Sequence, residues 1–145
     1  MATDRFDIDL GSAHEDAPVP EGRYSVRCTS LSKETSRKGA DMFVATLQIE
    51  SDEFPFAEPM KHYIMLPIKD DDAQMRRRRL NGLRRFLEAF EITYEADGFH
   101  PGDAVGQVAE ELFITQEAVI NPETKEETGR VRNRAVFPKV KEEED

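Results

Sequence analysis

The chain has no tryptophan and only one cysteine, Cys28. A single cysteine excludes an internal disulfide and any metal site built from several cysteines, and it suits a reducing compartment. No apolar run is long enough to cross a membrane. The opening segment MATDRFDIDLGSAHEDAPVPEG is acidic and holds no apolar stretch of signal-peptide length. The three histidines, His14, His62 and His100, are scattered and lack metal-ligand spacing. No glycine-rich phosphate loop, nucleophile elbow or paired-cysteine site is present, so nothing in the spacing supports an enzyme. What remains is a 145-residue chain read as one soluble, cytoplasmic domain with tails, long enough to bury a core without staples. That core must come from Phe, Leu, Ile, Val and Met.

The formal net charge of −10 looks wrong for a protein that meets phosphates, but its distribution changes the picture. Residues 1–21 hold six acids and one base, and residues 141–145 hold four acids and Lys141. The body between them, residues 22–140, has 18 bases against 20 acids. It is therefore nearly neutral and can carry basic patches. Local potential, not total charge, governs association with phosphates.

Along the chain, residues 1–21 show no clear period and end in Pro18-Val19-Pro20. An extended, mobile arm is expected there. A first strand is expected over 23–31, where Tyr24, Val26 and Cys28 alternate with Arg23, Ser25, Arg27 and Thr29. Residues 32–40 form a polar, basic loop. A second strand, 42–49, places Phe43, Ala45, Leu47 and Ile49 on one face. A third, 60–68, turns Met60, Ile64, Leu66 and Ile68 inward and Lys61, Tyr63 and Met65 outward. Asp70, Asp71 and Asp72 suit the positive end of a helix that follows to about residue 91. They suit capping better than a metal site, because adjacent residues rarely converge on one ion. Leu80, Leu83, Leu87 and Phe90 define the expected packing face of that helix. A fourth strand spans 105–120 with a bend near Glu110-Glu111, a charged hairpin spans 121–129, and a fifth strand spans 130–137 before Pro138.

Three strands, one helix and two more strands is the element order of the OB-fold, a five-stranded barrel that binds oligonucleotides or oligosaccharides across strands 2 and 3 and the loops beside them. The expected architecture is mainly β: an OB-type barrel over 21–138, with one helix between strands 3 and 4. An acidic arm (1–20) and an acidic tail (139–145) flank it.

An open groove for nucleic acid needs cations that track phosphates and flat side chains for stacking. Arg23 and Arg27 on strand 1, Lys33, Arg37 and Lys38 in the first loop, Lys61 on strand 3, and Arg132 and Arg134 on strand 5 are the candidate phosphate contacts. Gly39 permits close backbone approach in that loop. Tyr63, Phe54 and Phe56 are the candidate stacking surfaces. The run Arg76 to Arg79, with Arg84 and Arg85, cannot form one stripe because consecutive residues step about 100° around a helix. Arg77 with Arg84 and Arg78 with Arg85 form two stripes, while Arg76 and Arg79 must snorkel or pair with acids. The expectation for these arginines is a charged helix face, balanced by Asp70 to Asp72 and Glu88 and turned away from the groove; the alternative is a secondary phosphate-contact surface.

Pro20-Glu21-Gly22-Arg23-Tyr24-Ser25-Val26, then Ser36-Arg37-Lys38-Gly39-Ala40-Asp41-Met42, then a strand ending in Leu47-Gln48-Ile49, resembles the N-terminal half of single-stranded DNA-binding proteins of tailed bacteriophages. Gly106, the strand through residues 112–120 and Asn133 continue the likeness, which covers about 18–138. The resemblance implies an OB-fold that coats single strands during replication or recombination, without sequence preference and without a cofactor, in the cytoplasm of an infected bacterial host. It also implies that replication or recombination proteins could dock through the acidic tail. This tail ends in Asp145, without the terminal apolar residue that docks partners in the wider class. A barrel edge that pairs between subunits would make a homo-oligomer. The alternatives are a non-catalytic protein-interaction module, in which the acidic ends bind basic partners, and a carboxylate nuclease.

Overall fold

A computed structural model describes residues 4–140 of the protein. Of the expected acidic tail, residues 141–145 lie outside the described residues. Period-two alternation becomes strand in β1 (Gly22–Thr35), β2 (Asp41–Glu50) and β3 (Met60–Met65), which precede an α-helix, α1 (Ala73–Ala89). β3 ends short of the expected residue 68, since Leu66-Pro67-Ile68 leaves the ladder at Pro67, which has no N–H to donate. Two-residue strands β4 (Tyr94–Glu95) and β5 (Gly98–Phe99) make a small hairpin in the stretch expected to be a plain connection. β6 (Val108–Ile120) and β7 (Glu127–Val136) complete a five-stranded antiparallel sheet in the order β3-β2-β1-β6-β7. The strand expected from residue 105 starts later, because Pro101–Ala104 forms a 3-10 turn. No described helix is long and apolar enough to cross a membrane.

The expected inward faces of β1 and β2 are the observed ones. Val26, Cys28, Ala45, Leu47 and Ile49 are buried with Ile64, Leu112 and Ile114. Full burial of one such aliphatic side chain stabilises by about 1.5–3 kcal/mol. β1 is longer than its alternation suggested and carries Lys33 within the strand, where it pairs with Phe43 of β2. Irregular registers at Cys28/Ser30, Tyr24/Val26 and Ala118/Ile120 interrupt the ladders. Glu111, at the expected bend, has a φ of 53°. Bulges of this kind bend strands and increase twist. The sheet curls, and Cα atoms of the two edge strands β3 and β7 come within 8 Å of each other. Among the described residues no β-ladder joins those edges.

Asp72 caps α1, its carboxylate accepting from Met75 N at 2.7 Å, an interaction worth about 1 kcal/mol. Asp71 accepts from Ile68 N at 2.9 Å and pairs with Arg79 at 3.2 Å. The helix closes through Ile92 N donating to Leu87 O at 2.9 Å and Glu91 N to Glu88 O at 3.1 Å, with Glu91 at φ 54°. This is the paired hydrogen-bond ending that glycine usually serves. The packing face differs from expectation. Leu80 is 45% exposed, whereas Phe86 is fully buried beside Leu87 and Phe90. Only the C-terminal half of the helix lies on the core, so the helix rotates to bury Phe86 instead.

The N-terminal arm also departs from expectation, because it is docked from His14 onward. Val19 is 1% exposed and sits in the core. Its N–H donates to Asn133 Oδ1 at 2.7 Å, and Asn133 Nδ2 donates back to Val19 O at 2.8 Å. Ala17 N donates to Phe56 O at 3.0 Å, Glu58 N donates to Ala17 O at 2.9 Å, and His14 stacks on Phe56 at 4.4 Å. Pro18 and Pro20 hold Val19 extended, and an extended apolar residue with a buried amide partner docks rather than drifts. Upstream, Phe6, Ile8 and Leu10 are exposed. Replacing Asn133 by Ala strands the Val19 N–H away from water, while its carbonyl keeps Gln116 Nε2 as a donor at 2.8 Å, so a loss of roughly 1–3 kcal/mol in urea denaturation is expected. Faster proteolysis near Pro18 should accompany it; unchanged stability would show that this tie holds nothing.

Candidate nucleic-acid interface

Four antiparallel steps separate β3 from β7, so the two edge strands point the same way where they meet. An aromatic cluster holds them there. The His62 ring of β3 lies 4.5 Å from Phe137, just beyond β7, and 6.1 Å from Phe86 of α1. Phe86 in turn lies 5.8 Å from Phe137 and 5.0 Å from Phe90. Helix and both sheet edges therefore share one apolar knot.

Outside the knot the seam is a trough. One depression of about 410 Å³ is lined by Glu58, Lys61, His62, Tyr63, Glu117, Arg132 and Arg134, among others. A second, of about 430 Å³, shares His62, Tyr63 and Arg134 with it and extends to Arg78, Arg79, Gly82 and Arg85 of α1. Tyr63 stands where the two meet and is 58% exposed. Six cationic side chains line the two depressions against two carboxylates, Glu58 and Glu117. Strand periodicity sets the strand cations. Asn133 and Ala135 are buried, so Arg132 and Arg134 must project outward. Glu117, opposite Arg132 on β6, accepts from Arg132 Nε at 2.6 Å and lies 3.9 Å from Arg134 Nη1. Exposed pairs of this kind contribute little to stability. They do hold two guanidiniums over the trough.

Of the candidates named from sequence, the fold brings Lys61, Tyr63, Arg132 and Arg134 together. Arg37 and Lys38 sit on the β1–β2 turn, closed by Gly39 N donating to Ser36 O at 2.9 Å with Gly39 at φ 83°. This turn stands past Met42, which pairs with Met65 at the end of β3, so it marks one end of the trough. Lys33 lies on β1, 3.6 Å from Asp41. Arg23 and Arg27 project from the central strand and are engaged elsewhere. Arg23 donates to Glu111 O at 3.2 Å, while Arg27 donates to Gly106 O at 2.8 Å and to Glu50 at 3.1 Å. Phe54 is not a free stacking surface: it packs on the core, edge-on to Tyr24 at 6.1 Å. Phe56 is 46% exposed, but one face is covered by His14 and it lines neither depression.

The helix arginines depart from expectation in their direction. Arg78, Arg79 and Arg85 face the seam, because burying Phe86 against His62 and Phe137 turns their side of α1 toward β7. The legible sign was Phe86 itself, an aromatic four residues before Phe90. Of the acids expected to balance these arginines, Asp71 does so for Arg79, while Asp72 and Glu88 have other tasks. Asp72 caps the helix, Asp71 holds Arg79, and Glu88 accepts from Tyr94 Oη at 2.6 Å. Gly82 lies mid-helix, where glycine costs about 1 kcal/mol relative to alanine, and a Cβ there would meet nothing within 4 Å.

Beneath the trough, burial and then the charge of Arg134 lower the His62 pKa from 6.5 to about 4. Burial likewise raises the Cys28 thiol, which stays protonated at neutral pH. Among the described residues no three His, Cys, Asp or Glu side chains gather as a metal site. Compared with known proteins, the chain matches no family model and no curated protein.

The depressed His62 pKa has a thermodynamic consequence. The unfolded chain takes up a proton near pH 6.5, the folded one only near 4. The His62 contribution is fully present above pH 6.5, falls as pH drops through that window, and is lost below about 4. Urea denaturation of the protein and of His62→Gln at several pH values should show a steeper loss between pH 6.5 and 4 in the parent. Parallel slopes would contradict a neutral, half-buried imidazole.

Proposed function

We propose that this protein binds single-stranded DNA without reading its sequence, along the trough between β3 and β7, and that its sheet is an OB-type barrel open at that seam. One observation carries the reading: an exposed tyrosine, Tyr63, stands at the junction of two depressions lined by six cations and two carboxylates. The strand order, the helix after the third strand and the parallel approach of β3 and β7 support the OB assignment. That fold is a partly open five-stranded barrel whose strand 2–3 face and flanking loops take oligonucleotides. The phage-protein resemblance points the same way, toward protection of single strands during phage DNA replication or recombination in the host cytoplasm.

In this reading phosphates displace counterions from Lys61, Arg132 and Arg134. They also compete with Glu117 for the two arginines it already orients. A base stacks on Tyr63, whose π-face accepts any base. Neutral His62 supports the floor from below. The turn carrying Arg37 and Lys38 closes one end, while Arg23 and Arg27 keep the bulged β1–β6 region together. A second reading, a protein-interaction module, has one observation in its favour: Phe6, Ile8 and Leu10 are exposed and alternate with Asp7 and Asp9. A gel shift with labelled oligo-dT at low salt separates the two, since an interaction module gives no shift.

Arg132→Ala with Arg134→Ala should weaken oligo-dT binding and flatten its salt dependence by about 1.4 in log–log slope, two contacts at about 0.7 each. Arg23→Ala with Arg27→Ala is the matched control and should keep the parent slope. If the control flattens and the β7 pair does not, the site lies on the central strand instead. Tyr63→Ala should cost on the order of 1–3 kcal/mol of binding at fixed salt. An unchanged titration for that variant removes the stacking role.

A further inference from the structure

We propose that a bound single strand does not end at the seam but continues over α1, crossing a saddle formed by Arg78, Gly82 and Arg85, whose guanidiniums hold its phosphodiester groups. This inference rests on the seam reading and extends it to an element that the sequence pattern turned away from the groove.

Three observations carry it. The spacing i, i+4, i+7 puts Arg78, Gly82 and Arg85 on one stripe, and all three line the depression that also holds Tyr63 and Arg134. The stripe is thus continuous with the trough. Next, the helix carries six arginines and one acid, Glu88, which is engaged with Tyr94. Its first turn has no acid, and among the described residues Arg78 and Arg85 form no ion pair. Their charge faces the depression without a carboxylate to offset it, which is the condition of a phosphate contact rather than of a balanced surface. Finally, Gly82 lowers the floor between the two guanidiniums. No neighbour fills the space a side chain would take, and no positive φ calls for glycine there. A sugar-phosphate backbone can lie close to the helix at that point.

The test is titration of the full chain with oligo-dT of increasing length, at several salt concentrations. Arg78→Ala with Arg85→Ala is compared with Arg76→Ala with Arg77→Ala, which removes the same charge from residues that do not line the depression. The saddle variant is expected to lose about 1.4 from the log–log salt slope, and its affinity should stop rising at a shorter oligonucleotide than the parent's. The control keeps both. Gly82→Gln, which fills the saddle without altering charge, should also shorten the saturating length. A parent-like slope and saturating length in the saddle variant overturn the path over α1, as does an equal loss in the control. If Arg132→Ala with Arg134→Ala still flattens the slope, the seam reading survives that failure. Absence of any oligo-dT binding by the parent at low salt sinks both.

Discussion

The contact on which the rest of this structure depends is the packing of His62, Phe86 and Phe137 across the seam. One ring comes from β3, one from α1 and one from the end of β7. No ladder joins the two edge strands among the described residues, so side-chain packing rather than backbone hydrogen bonding sets their approach. The same packing rotates the helix until Arg78 and Arg85 face Arg134. It also half-buries His62, and a half-buried imidazole beside a guanidinium has its pKa lowered to about 4. A charged His62 would be both poorly solvated and repelled by Arg134.

Charge in this chain is organised by location. The trough collects cations from β3, β7 and α1, while the acids that could neutralise them are engaged as a cap, as a helix-end anchor and in a tyrosine hydrogen bond. Two acids do touch trough cations: Asp71 pairs with Arg79 from the helix end, and Glu117 lies inside the trough and touches two arginines. An acid in that position orients guanidiniums and yields to a stronger anion. A strongly acidic protein can thus present a basic surface, because screening confines each patch to its own neighbourhood.

The N-terminal segment shows how one residue converts an arm into part of the fold. Its composition reads as solvated, and up to Ala13 the structure agrees. Val19 reverses this, because Asn133 satisfies both of its backbone groups inside the core. That bond spans 114 residues, so no local pattern could announce it. The packing of Phe54 on Tyr24 and of Phe56 on His14 was hidden for the same reason: these partners are remote in sequence.

The sequence by itself determined the five strands of the main sheet, most of their inward faces, the capped helix and the outward direction of Lys61, Tyr63, Arg132 and Arg134. These follow from period-two alternation and capping chemistry, which act over a few residues. Only the tertiary structure decided which cations share a surface, that Arg23 and Arg27 do not, and that the helix arginines do. Those outcomes depend on where the sheet bends and how far the helix turns to bury Phe86. Both are settled by contacts between segments far apart in the chain.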